Sequence, residues 1–223
     1  MNIAIQIILC LLLGYGLGSL SPSYVIGRLR GYDVRTSGSG NAGASNTVIL
    51  VGKLAGLTVA LLDIFKAAGA WWISAALFPD LRLAGILGGV GAIFGHMFPA
   101  WLRFHGGKGL ACLGGVVLAY DWKTLLLMLA LAILIGVVTN YVAVSTVSMS
   151  VIWPVYYGLR TAFWLGAGVL LVPAVPIFLR HLINFRRIRN GEELRLSFLW
   201  NKQEELARIG RSEALEETIE EEL

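Results

Sequence analysis

The constraint that decides most about this chain is how few charges its first 179 residues carry. They hold 10 Lys/Arg and 4 Asp/Glu, whereas residues 180–223 hold 8 and 10. Soluble domains carry about 25% charged residues on average, and 14 charges in 179 positions fall far short of that. The whole chain is 57% hydrophobic and 14% charged, with a mean hydropathy of +0.72. Its formal charge of +4 does not make it a nucleic-acid binder, because the cations are too sparse to form a phosphate-tracking face. The composition is that of an all-α, polytopic membrane helical bundle.

A membrane span needs about 20 apolar residues. On that basis seven spans are expected, over residues 2–20, 47–78, 83–102, 110–120, 125–138, 141–159 and 163–179. The second is long, with a break expected at Gly52 or Gly56. The fourth and fifth are short, which leaves six spans or a re-entrant segment open. With alternating spans, 14 Lys/Arg fall on one side and Arg82, Lys123 and Arg160 on the other. The positive-inside rule then places the N-terminus outside and the C-terminus in the cytoplasm. The first segment lacks a basic leader and reads as a retained span. Residues 1–193 are expected to form the membrane domain and 194–223 a polar cytoplasmic tail, solvated and helical, with an acidic end.

Within the spans, Asp63 and Lys66 lie three residues apart, share a helix face and are expected to form a structural ion pair. Cys10 and Cys112 sit in apolar segments and read as small buried hydrophobes. The tryptophans near span ends read as interface anchors and packing groups. No metal-ligand spacing is present.

Three polar segments fall on the predicted cytoplasmic side. The first, residues 38–46, reads GSGNAGASN. Glycines allow positive φ and can turn successive N–H groups toward one anion. Asn46 is expected to cap the second span and bring a helix N-terminus to the loop. The second, residues 105–109, reads HGGKG and sets a mobile cation among backbone amides at a helix start. It departs from a Walker A loop at Leu102 and Gly109. The third begins at His181, with Asn184 one helical turn on.

The ordered set GSGNxGxxN, GHxFP with a following FxGGKG, and HxxNxxRxxxGxE resembles the PlsY family of bacterial membrane acyltransferases. The residues carrying it are Gly38 to Asn46, Gly95 to Pro99, Phe104 to Gly109, and His181, Asn184, Arg187, Gly191 and Glu193. Gly18-Ser19, Asp33-Val34-Arg35 and the Asp63–Lys66 stretch fit as well, so the resemblance covers about residues 8–193. It implies a seven-span bundle in the bacterial inner (cytoplasmic) membrane. It further implies transfer of an acyl group from acyl phosphate to the 1-hydroxyl of glycerol 3-phosphate, giving lysophosphatidic acid and phosphate for phospholipid biosynthesis. Its partners would be those two substrates and membrane lipid, with no cofactor and no metal. His181, Asn184 and Lys108 are the candidate catalytic residues. Gly38, Ser39, Gly40, Asn41, Asn46, Gly106, Gly107, Gly109, Arg187 and Glu193 are the candidate substrate-binding residues.

Two positions depart from the family pattern. Ile49 stands where an arginine expected to hold substrate phosphate is common, and Cys112 stands in place of threonine. The competing readings are a transporter and a lipid-binding paralogue without acyl transfer. A transporter would place its polar groups at the bilayer midplane, often with an internal repeat; no repeat is evident here.

Overall fold

Gly14 and Gly18 explain how the bundle closes. They lie on α1 (Ile3–Ser19) and face Gly88 and Ala92 on α5 (Ala84–Met97). A Cβ at Gly14 would stand 2.0 Å from the Gly88 carbonyl oxygen, and one at Gly18 would stand 2.1 Å from that of Ala92. Gly91 and Gly95 repeat the arrangement from the other side, against Leu11 and Tyr15. Between helices that lipid solvates as well as each other, close backbone approach at small residues supplies the attraction. All of α5 except Phe94 is buried, so it forms the axis of the molecule.

The computed structural model describes residues 1–201, 203–205 and 207–210, and among these the only regular elements are helices. After α1 come α2 (Pro22–Leu29), α3 (Ala44–Leu50) and α4 (Lys53–Leu77). Beyond α5 the order is α6 (Leu110–Tyr120), α7 (Trp122–Thr139), α8 (Val142–Thr161), α9 (Trp164–Leu171) and α10 (Ala174–Asn190). Among the described residues six stretches are long and apolar enough to cross a membrane. The predicted fourth span, α6, has 11 residues, about 16 Å of helix, half the thickness of a bilayer core. Packed on α4, with a Cβ at Gly115 meeting the Ile64 carbonyl oxygen at 2.1 Å, it fills the bundle from the loop end.

The predicted second span breaks at Gly52, whose φ of +119° separates α3 from α4. The predicted seventh does not end at residue 179: α10 carries the chain on to Asn190. Its buried residues Ile177, His181 and Asn184 recur at helical spacing and keep one face turned inward although the other carries arginines. Leu126, Ile133 and Val137 on α7 and Leu165 on α9 are exposed, as side chains that face lipid would be. Trp153, by contrast, is fully buried and packs on Tyr120 and Tyr157, with ring centroids 5.3 and 5.6 Å away.

Candidate active site

The first glycine-rich loop is shaped from beneath by one side chain. Asn46 is fully buried. Its Nδ2 donates to the Val34 and Ser37 carbonyl oxygens at 2.9 and 3.0 Å, and its Oδ1 accepts from the Ser39 N–H at 2.8 Å. It is not the cap expected from the sequence: it lies inside α3, and Gly43 holds the N-cap position. The three-residue earlier helical start puts Asn46 where its amide can tie the loop ends together. Gly38 and Gly40 adopt φ of +63° and +70°, open to glycine without strain. Gly38, Ser39 and Gly40 are exposed, and Asn41 is half-buried. Asp33 holds Arg35 in a forked pair, with 3.0 and 2.8 Å contacts to the two carboxylate oxygens. The hydrogen bond from Arg35 lowers the Asp33 carboxyl to about 2. Arg35 is therefore already matched by an anion of its own loop.

The second loop lies against the first. A Cβ on Gly107 would come within 3.0 Å of the Ala42 carbonyl oxygen and 2.1 Å of His96 Nε2. Gly106 and Gly107 donate their N–H groups to the Met97 and His96 carbonyl oxygens, at 3.2 and 3.1 Å. That fastens the loop to the end of α5. Gly109 takes φ of +95° as the N-cap of α6.

From the other side α10 closes the site. Lys108 Nζ donates to Asn184 Oδ1 at 2.7 Å, and Asn184 Nδ2 donates to Glu193 Oε1 at 2.6 Å. Arg180 donates to the Met97 and Phe104 carbonyl oxygens at 3.0 and 2.8 Å, which pins α10 to the loop. Burial pushes the Lys108 ammonium below the usual lysine range. Glu193 acts against that shift, while Arg187 and Arg180 add to it. His181 is buried, and its Nδ1 lies 2.7 Å from the Ile177 carbonyl oxygen. A carbonyl only accepts, so Nδ1 carries a proton, and in the neutral ring that leaves the lone pair on Nε2.

The structure thus links Lys108, flanked by Gly106, Gly107 and Gly109, to Asn184 and through it to Glu193, with His181 and Arg187 a turn to either side on α10, and the loop of Gly38, Ser39, Gly40, Asn41 and Asn46 meets the second loop where Ala42 lies against Gly107. Ile49 is half-buried on α3. Glu193 turns its carboxylate to Asn184, and its place in the site is that of an acceptor on the chain's own amide.

Beneath the second loop lies a group that the sequence showed only in part. The expected Asp63–Lys66 pair forms, with 2.6 Å between Nζ and Oδ1. It also takes in His96, whose Nδ1 is 3.1 Å from Lys66 Nζ and 3.4 Å from Asp63 Oδ1. Lys66 further donates to the Leu20 carbonyl oxygen at 2.6 Å, at the end of α1. Cys112 and Cys10 are both buried and free. The Cys112 thiol donates to the Asp63 carbonyl oxygen at 3.4 Å, doing weakly what a threonine hydroxyl would do there. Asp63, His96 and Cys112 bring possible ligand atoms within 4.8 Å of one another. The Lys66 ammonium already occupies the cation position between Asp63 and His96. The spacing along the chain could not reveal this cluster, because it depends on the register between α4 and α5.

This geometry can be set beside that of known proteins. The glycerol-3-phosphate acyltransferase family model matches residues 8–191. The chain is 36% identical over 202 residues to glycerol-3-phosphate acyltransferase 1 of Oceanobacillus iheyensis, covering 86% of this chain and 96% of that one. It is 33% identical over 202 residues to the glycerol-3-phosphate acyltransferase of Lactiplantibacillus plantarum, covering 89% and 97%. Its structure is similar to that of PlsY (YgiH), an integral membrane glycerol 3-phosphate acyltransferase. For the glycerol 3-phosphate form the TM-score is 0.79 at 28% identity, over 86% of this chain and 96% of that one. The lysophosphatidic acid form gives 0.75 at 28% identity, over 85% and 94%.

Proposed function

The chain belongs to the glycerol-3-phosphate acyltransferase family, and we propose that it takes its acyl group from acyl phosphate and delivers it to the 1-hydroxyl of glycerol 3-phosphate. It is an acyltransferase and a membrane protein, with six apolar helical stretches of spanning length among the described residues. The side carrying the three motifs faces the cytoplasm of a bacterium, across its inner membrane, with the N-terminus outside. The observation that carries the assignment of the site is the hydrogen bond from Lys108 to Asn184. It joins a cation on an amide-rich loop to a helix that presents an unprotonated histidine nitrogen one turn away.

An acyl phosphate is already activated, so no covalent enzyme intermediate is needed. The hydroxyl oxygen bonds to the acyl carbon, the bond from that carbon to the phosphate oxygen breaks, and the hydroxyl proton ends on the released phosphate. The enzyme's share is alignment and donors placed where charge develops. Lys108, with Arg187 behind it, neutralises phosphate as a compact charge. The Ser39 hydroxyl and the Asn41 side chain, with the Gly38 and Gly109 backbone, offer donors, while the Gly40, Gly106 and Gly107 N–H groups hold the loops in shape by donating to the Ser37, Met97 and His96 carbonyl oxygens. Asn46 contributes by holding the first loop in shape. His181 Nε2 accepts from the glycerol hydroxyl and aligns its oxygen with the acyl carbon. Asn184 and Glu193 hold the Lys108 ammonium in place. The acyl chain stays in lipid between helices, which is why this chemistry suits a membrane bundle.

The decisive assay incubates the purified protein with acyl phosphate and glycerol 3-phosphate and measures lysophosphatidic acid and phosphate, with acyl-CoA in parallel. Product from acyl phosphate alone is expected; product only from acyl-CoA would overturn the donor assignment. Ile49→Arg probes the departure from the family. Arg35 is bound to Asp33, so it does not replace the cation missing at position 49. An added guanidinium is expected to lower the KM for glycerol 3-phosphate by about tenfold, the worth of one charge-assisted hydrogen bond. An unchanged KM would place the substrate phosphate away from α3.

A further inference from the structure

The family match ends at residue 191, yet the described residues beyond it fold back onto the site. The Leu196 N–H donates to the Asn140 carbonyl oxygen at 2.8 Å, which ties the tail to the turn between α7 and α8. Residues 203–205 and 207–210 are helical, and they bring Glu205 and Arg208 under the end of α10. Glu205 is 5% exposed, too buried for a carboxylate without partners. Its Oε1 accepts from the Arg195 N–H at 2.9 Å and from Arg208 Nε and Nη2 at 3.1 and 2.6 Å; its Oε2 accepts from Ser197 Oγ at 3.4 Å. Thus anchored, the Arg208 guanidinium donates to the Gly191 carbonyl oxygen and, at 2.7 Å, to that of Glu193.

Those two carbonyls bracket the turn that decides where Glu193 sits. Gly191 ends α10 at φ +80°, and two residues later the Glu193 carboxylate accepts from Asn184, which in turn accepts from Lys108. A glycine at that position leaves the turn free to swing. A planar guanidinium that binds one carboxylate and two carbonyls at once removes that freedom, and a lysine cannot reproduce the fork.

We propose that Arg208 is a positioning residue for acyl transfer: the tail is a strap that fixes Glu193, and through it Asn184 and the Lys108 ammonium. This rests on the reading of Lys108 and Asn184 as parts of the phosphate site. A tail that merely adds stability would leave kcat/KM unchanged below the unfolding temperature. A strap acting through Glu193 changes kcat/KM and stops mattering once Glu193 is gone.

The test compares the full chain with Arg208→Ala, Arg208→Lys, Glu193→Ala and the double variant Arg208→Ala/Glu193→Ala. Each is purified in the same detergent and assayed with acyl phosphate and glycerol 3-phosphate, with its unfolding temperature recorded. Arg208→Ala is expected to lower kcat/KM for glycerol 3-phosphate by about tenfold, the scale of a small misplacement of a catalytic group. Arg208→Lys is expected to recover only part of it. In the Glu193→Ala background Arg208→Ala should cost nothing further, the non-additivity of residues in one chain of contacts. Wild-type kcat/KM in Arg208→Ala would overturn the proposal, as would a loss that adds in full to that of Glu193→Ala. Glu205→Gln in the full chain, which weakens the carboxylate anchor of Arg208, must lower kcat/KM in the same direction, which keeps the test open if Arg208→Ala fails to fold. The underlying site fails separately: near-normal turnover in Lys108→Ala sinks it whatever Arg208 does.

Discussion

Lys108→Ala is expected to lower kcat/KM for glycerol 3-phosphate by about 10²–10³-fold, the measured range for losing one preorganised donor to a developing anion. Three consequences of the geometry add up in the same direction. The substitution removes the loop's own cation. It leaves Asn184 Oδ1 without the donor now 2.7 Å away. It also leaves the Glu193 carboxylate, two contacts from Lys108, facing an anionic substrate with less to offset it. Lys108→Arg keeps the charge, but the loop around it is packed: Gly107 touches the His96 ring, and Gly109 lies 3.5 Å from Ile177 when given a Cβ. A wider planar head is therefore expected to restore only part of the rate. The pH profile provides an independent check. Burial, reinforced by Arg187 and Arg180, depresses the Lys108 pKa. The ammonium is thus lost as pH rises through a value below the ordinary lysine pKa of about 10.4. The alkaline limb of kcat/KM is expected to lie below that value, and in Lys108→Arg it should move up or vanish, since guanidinium does not deprotonate in this range. An alkaline limb that Lys108→Arg leaves in place would assign it to another group.

The parts of this arrangement that the sequence made legible are those carried by local pattern. The charge-poor run announced the bundle. Glycine and asparagine spacing announced the two loops, and the helical interval from His181 to Asn184 put both on one face. Asn46 was misplaced as a cap because its role depends on the carbonyls of Val34 and Ser37, which only the fold brings to it. Arg180 looked like one more topogenic cation; its bonds to Met97 and Phe104 need the crossing of α10 over the end of α5. The orientation of His181 was invisible for a simpler reason. Its partner is the backbone of its own helix, at Ile177, and no side chain in the sequence marks that. His96 stood in a motif that matched the family, but nothing in the order of residues says that its ring lies between an ion pair on α4 and the Cα of Gly107.

Lys66→Met is expected to be the most destabilising single change in the core. The side chains of Lys66 and Asp63 are 7% and 2% exposed, so removing the ammonium leaves a carboxylate out of reach of water, with the His96 imidazole 3.4 Å from Oδ1 as its remaining ionisable neighbour. Breaking such a pair on one side costs about 3–5 kcal/mol, because the remaining charge keeps its desolvation penalty and loses its partner. The Leu20 carbonyl oxygen at the end of α1 loses its donor as well. The measurement is the unfolding free energy in one detergent for Lys66→Met, Asp63→Asn and the double variant. The double variant should regain most of the stability, since no unpaired charge is left in it. Activity is expected not to follow. The neutral pair can satisfy packing, but it no longer holds the imidazole of His96 under Gly107, so the loop that carries Lys108 loses its floor while the bundle keeps its fold. Recovery of both together would mean that the cluster serves only to join α1, α4 and α5, and a loss under about 1 kcal/mol for Lys66→Met would mean that solvent reaches Asp63.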